Sequence, residues 1–115
     1  MKQYCFDVAR EVRLDSDCKI KVGAVMEKSG RILAVASNKQ GSMRDGGYLY
    51  SRHAESRLLI NRIAEGSTVY VYRQHAHTGE LLLSRPCHRC ESRLRETGVR
   101  RVVYTTNGGW EEMRL

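Results

Sequence analysis

The feature that most constrains this chain is the order in which two hydrophobic periods follow one another. From Lys2 to Leu14 apolar residues fall at Cys5, Phe6, Val8, Ala9 and Val12, the spacing of an amphipathic helix. The run VGAVMEKSGRILAVASN then reads as two strands around a Ser29-Gly30 turn. A polar, Gly-rich stretch from Lys39 to about Tyr50 reads as a loop. From His53 to Ala64 the helical period returns, with Leu58, Leu59 and Ile63 on one side and Gly66 as the stop. Thr68 to Arg73 is a β-rich run, Thr78-Gly79 a turn, and Leu81 to Ser84 a second short strand. Cys87 to Thr97 reads as a helix closed by Gly98, and Val102 to Thr105 as a last strand. The final NGGWEEMRL is too short to assign. Helices interleaved with strands in this way predict a layered α/β sandwich, a central sheet with helices on its faces.

Length and composition set the frame for that prediction. With 115 residues, one domain spanning 1–115 is expected. At 41% hydrophobic and 29% charged the chain reads as globular. No apolar run approaches the roughly 20 residues of a bilayer span. The N-terminal MKQYCFDVAREVRLD has acids among its apolar residues, unlike a secretory leader, so the cytoplasm is the expected location. The net charge of +7, from 20 Lys and Arg against 13 Asp and Glu, suits a phosphate-bearing partner, although a basic surface alone has the same composition.

Of the four cysteines, Cys5 and Cys18 stand alone and read as small packed hydrophobes. Cys87 and Cys90 form a C-x-x-C pair preceded by the chain's single proline, Pro86. Proline suits a first helical turn, and positions three apart share one helix face, so both sulfurs can reach one ion. The positive end of the helix also favours thiolates there. His53 opens another expected helix and offers an imidazole. A His-Cys-Cys set leaves the fourth tetrahedral position for water, the open arrangement of a catalytic zinc. Zinc lowers the pKa of water at that position. Glu55, two residues beyond His53, is placed to carry protons without being a ligand. Two other readings compete. One is a closed site completed by His88, Cys5 or Cys18, which leaves Glu55 unexplained. The other is a redox C-x-x-C, which would be expected nearer the first strand.

His53-Ala54-Glu55 followed by Pro86-Cys87-His88-Arg89-Cys90 is the H-x-E and P-C-x-x-C signature of zinc nucleobase deaminases. On these residues the chain resembles the cytidine/deoxycytidylate deaminase superfamily over about residues 2 to 106. VGAVMEKSGRILAVASN resembles the family's first two strands, HAESRLL its first metal-binding half, and RPCHRCESRLRETGVRRVVYTT its second half. The last of these is particularly similar to small deaminases of phages and bacteria. The resemblance implies a three-layer α/β/α cytidine-deaminase-like sandwich with a mixed sheet of about five strands. It also implies Zn2+ held by His53, Cys87 and Cys90, and Glu55 as proton shuttle. By the same resemblance Asn38 contacts the sugar and the Ala54 backbone N–H meets the base carbonyl, while Ser84 and Arg85 line the pocket. Two departures stand out. YRQHAHTGELLLSR intervenes where relatives run straight from strand into Pro-Cys, and the tail is too short for the final helix of larger relatives. His75 and His77, in the intervening turn, read as exposed turn residues.

The resemblance implies cytosine as the base and hydrolysis to uracil as the reaction. Charge tips the choice of substrate towards cytosine in single-stranded nucleic acid. Arg85, Arg89, Arg93, Arg95, Arg100 and Arg101 crowd the second motif, and Tyr48 and Tyr50 precede the first, as a stacking track would require. The alternative is free (deoxy)cytidine or dCMP, with those arginines forming a solvated face alongside Glu91 and Glu96. An adenosine deaminase acting on tRNA and an inactive binding module are weaker readings, the latter because Glu55 is present. A homo-oligomer is compatible with all of them, and no membrane partner is expected.

Overall fold

The structure is a computed structural model that describes residues 2–18, 20–40, 51–52, 65–75 and 77–115. The helix expected over 53–64, with His53, Ala54 and Glu55, lies outside the described residues, as do Tyr48 and Tyr50. Helix α1 spans Gln3–Val12 and tightens into a 3-10 turn at Arg13–Asp15. Strands β1 (Val22–Lys28) and β2 (Arg31–Ser37) form the expected hairpin. Its turn places Ser29 at φ 52° and Gly30 at φ 85°, the left-handed pair that matches strand twist. Within the stretch read as a loop, Lys39–Gln40 (β3) pairs with Ser51–Arg52 (β4) as a small antiparallel ladder. β5 is Thr68–Arg73, α2 is His88–Glu96, β6 is Arg101–Thr106 and β7 is Gly109–Arg114.

Five strands make one mixed sheet in the order β2-β1-β5-β6-β7. All contacts between neighbours are antiparallel except β5 with β6, the crossover that carries α2. The central strands β1, β5 and β6 are buried almost throughout, as strands covered on both faces must be. Alternation sorts their side chains into two layers. Val25, Tyr70, Tyr72 and Val103 meet Cys5, Phe6 and Ala9 of α1. Ala24, Met26, Val69, Val71, Val102 and Tyr104 meet Leu94 of α2. The result is the expected α/β/α arrangement. Among the described residues no helix is long and apolar enough to cross a membrane.

Gly23 explains how closely α1 lies on β1. A Cβ built at this position would stand 2.0 Å from the Ala9 carbonyl oxygen and 2.8 Å from the Arg13 nitrogen. Only a residue without a side chain lets the end of the helix cross the strand at that distance. Cys5 is fully buried in the same layer, as the sequence indicated.

One expectation needs correction and one unassigned segment gains a structure. Leu81 to Ser84 is no regular strand: Leu81 makes a single antiparallel bridge to Gln74, and the next residues lie between two strands instead of along one. The unassigned tail forms β7, joined to β6 by a tight Asn107-Gly108 turn with Gly108 at φ 88°.

Candidate functional site

Helix α2 begins where the sheet opens. β5 and β6 run parallel and pair from Thr68↔Arg101 to Val71↔Tyr104, and then diverge. The returning segment enters this fork. The Leu82 N–H donates to the Arg73 carbonyl at 3.0 Å, and the Ser84 N–H to the Thr105 carbonyl at 2.9 Å, so the segment bonds to both prongs. The Arg73 guanidinium adds a bond to the Leu83 carbonyl at 3.3 Å. From the fork the chain passes through Arg85 and buried Pro86 to Cys87, the N-cap of α2. Crevices at the carboxyl ends of parallel strands are where open α/β sheets bind ligands.

Cys87 is exposed at φ −69° and ψ 167°, and Cys90 is buried one turn further on, so the pair presents one sulfur at the surface and one below it. Two cysteines on the first turn of a helix, with the amide dipoles directed at them, are the donors a zinc ion takes as thiolates. The described part of the site therefore fits the metal. Among the described residues no three His, Cys, Asp or Glu side chains gather closely enough to hold an ion by themselves. α2 ends in a Schellman motif, with Val99 N–H to Leu94 O at 3.0 Å, Gly98 N–H to Arg95 O at 3.2 Å, and Gly98 at φ 89°.

The other site candidates fall in different surroundings. Asn38 is nearly buried. Its Oδ1 accepts from the Val22 N–H at 2.9 Å and its Nδ2 donates to the Ile20 carbonyl at 2.8 Å. Among the described residues that pattern uses one N–H and one lone pair of the carboxamide. The β3–β4 ladder sets the backbone of Arg52 opposite Lys39, the residue after Asn38. Ser84 is buried, and its hydroxyl lies 2.9 Å from the Val71 carbonyl and 2.8 Å from Thr105 Oγ1. Arg85 is exposed and reaches Glu91 at 3.7 Å. Thr105, in sequence no more than the end of a strand, joins Ser84 in the fork. A lone buried threonine at the end of a β-run gives no warning of this in the sequence.

The arginines around α2 divide into two sets. Glu91 lies between Arg85 and Arg95, at 3.7 and 3.6 Å, and Arg101 contacts Glu112 at 2.6 Å. Arg89, Arg93 and Arg100 are exposed. His75 and His77 sit exposed on the turn, their rings 5.9 Å apart, and His75 Nδ1 accepts from the backbone of His77 and Thr78. A cleft opens on the α1 face, lined by Phe6, Asp7, Arg10, Tyr72 and Trp110, and reaches the fork at Leu81 and Thr105.

Comparison with known proteins agrees with this geometry. Residues 1–106 match the family described as the cytidine and deoxycytidylate deaminase zinc-binding region. The dCMP deaminase of cyanophage S-TIM5 in its apo form is similar at 26% identity, with a TM-score of 0.67 over 90% of this chain and 84% of that one. Its complex with dCMP and dUMP aligns at 24% identity and TM-score 0.66, over 90% of this chain and 82% of the other. The cytidine deaminase of Burkholderia pseudomallei shares the fold at TM-score 0.73 and 20% identity, covering 99% of this chain and 92% of that one. No curated protein matches the chain. The fork, the cysteine pair at the head of α2 and the family match over nearly the whole length lead to one statement: the chain belongs to the cytidine and deoxycytidylate deaminase family and is a zinc-dependent deaminase.

Proposed function

We propose that the chain hydrolyses the C4 amine of cytosine in a free deoxycytidine nucleotide, giving the uracil nucleotide and ammonia. In this reading His53, Cys87 and Cys90 hold zinc, which when bound supplies the Lewis acidity that activates water. Glu55 takes one proton from the attacking water and passes it to the ring nitrogen, then takes the second from the new C4 hydroxyl and passes it to the departing amine, which leaves as ammonia. The backbone N–H of Ala54 holds the base carbonyl. Asn38, whose carboxamide is anchored to the backbone at residues 20 and 22, is positioned to meet the sugar. Arg85 and Arg89 each stand two residues from Cys87 and are exposed, so either offers a cation to a phosphate.

The observation that carries the choice of a free nucleotide is Glu91. Its single carboxylate is shared between two arginines of the block that favoured a polynucleotide in the sequence, Arg85 and Arg95, and Glu112 answers a third, Arg101. The likeness to a phage dCMP deaminase at 26% identity supports the same side. Cytosine in single-stranded nucleic acid remains the second reading, favoured by exposed Arg89, Arg93 and Arg100 and by the net charge of +7. The deciding assay runs zinc-loaded protein on dCMP, on cytidine and on a cytosine-containing single-stranded oligonucleotide at two salt concentrations. Turnover of dCMP supports the proposal. Uracil found in the oligonucleotide alone, and lost as salt rises, overturns it in favour of a polynucleotide editor.

A further inference from the structure

The detour between β5 and Pro86 poses a positional problem for the site. Two cysteines must be delivered with a tolerance of about half an ångström, yet a turn of exposed residues precedes them. The solution lies in the fork. Where β5 and β6 part, the backbone groups they would have shared are buried and need other partners. Two hydroxyls supply them. The Arg73 N–H donates to Thr105 Oγ1 at 3.1 Å, and the Thr105 N–H to Ser84 Oγ at 2.9 Å. In return Thr105 Oγ1 donates to the Leu82 carbonyl at 2.7 Å. The Ser84 proton has Thr105 Oγ1 at 2.8 Å and the Val71 carbonyl at 2.9 Å within reach. Thr105 is 1% exposed and Ser84 8%, so water is a poor substitute for either hydroxyl.

We propose that Ser84 and Thr105 act as positioning residues for the metal site: their paired hydroxyls fix where the chain leaves the sheet and hence where Cys87 and Cys90 stand. The inference rests on the reading of those cysteines as zinc ligands. Two residues separate Ser84 from Cys87, a reach of at most about 10 Å, and Pro86 locks one of the intervening torsions. A shift at Ser84 therefore passes to Cys87 with little slack to absorb it. The turn between Gln74 and Leu81 contributes nothing to this placement, because the lock lies downstream of it.

The test uses the full chain and three variants. Thr105→Val keeps the branched shape and removes the hydroxyl; Thr105→Ser keeps the hydroxyl and removes the methyl; Ser84→Ala removes the second hydroxyl. Zinc affinity is measured by chelator competition, and ligand geometry by the thiolate-to-metal charge-transfer absorption of the cobalt-substituted protein. Folding of each metal-free variant is monitored by circular dichroism. The expected result is zinc binding weakened at least about tenfold, with an altered cobalt spectrum, in both Thr105→Val and Ser84→Ala, and wild-type behaviour in Thr105→Ser. If Thr105→Val fails to fold, Ser84→Ala and Thr105→Ser decide the matter between them. Folded variants that lose stability yet keep wild-type zinc affinity and spectrum would overturn the proposal alone. Wild-type protein that binds no zinc overturns the cysteine reading and this inference with it.

Discussion

Strand β5 is held in two different ways along its two sides. Against β1 it is paired from Glu27↔Thr68 to Val22↔Arg73, an unbroken antiparallel ladder. Against β6 the parallel ladder stops at Val71↔Tyr104, and side-chain hydroxyls and an inserted segment finish it. One strand thus has a side devoted to cohesion and a side opened for chemistry. Stability and site geometry are in this way assigned to different neighbours of the same backbone, and substitutions on the two sides should have separable effects.

The strongest way to separate them acts on the chemistry alone. Glu55→Gln should lower turnover by about 10²–10⁴-fold while zinc content and thermal midpoint stay at wild-type values. Product formation alongside metal analysis checks this, and appreciable turnover would remove Glu55 from its role. On the cohesive side, Gly23→Ala should cost about 3 kcal/mol of stability, because its methyl meets the Ala9 carbonyl and the 3-10 turn. Denaturant unfolding of the metal-free protein measures that cost, and a zinc affinity that fell in step would break the division between the two sides.

An alkaline titration sharpens the picture for the α1 layer. Burial, and then nearby Glu27, pushes the Cys5 thiol above its ordinary 9.0, and burial pushes the Tyr70 phenol above 10.0. Both groups are held neutral by the fold. Their contribution is fully present below the unfolded values and is lost as pH rises through the folded ones. The unfolding midpoint should therefore decline above about pH 9, and Cys5→Ala should lessen the decline if the thiol is responsible. The smallest effect is expected on the α2 surface. Glu91→Gln should change stability by less than about 1 kcal/mol while strengthening retention on single-stranded DNA at low salt. Unchanged retention would show that the arginines are not available to a polynucleotide even when released.

The layers and the hairpin were legible in the sequence because local chemistry alone fixes them. Ser29-Gly30 can take two positive φ values, and Cys5, Phe6 and Ala9 share a helical face that ends up buried. The bounds of α2 were legible for similar reasons: proline before it and glycine after it. β7 escaped because an edge strand buries little. GWEEMR shows no alternation strong enough to read, and only the Asn107-Gly108 turn marks it. Leu81 to Ser84 misled because its apolar run resembles a strand, whereas its hydrogen bonds go to two strands at once. The cysteines were legible as a motif. The Ser84–Thr105 pairing was not, since it joins residues 21 apart through a divergence of strands that no local pattern records.

The turn bridged by Gln74 and Leu81 has a consequence beyond this one chain. Here the chain leaves β5, makes an excursion and is caught again before the proline, so the excursion is insulated from the helix beyond it. Such a place can gain or lose residues over generations, or accept a grafted peptide at the bench, while the cysteines downstream keep their station.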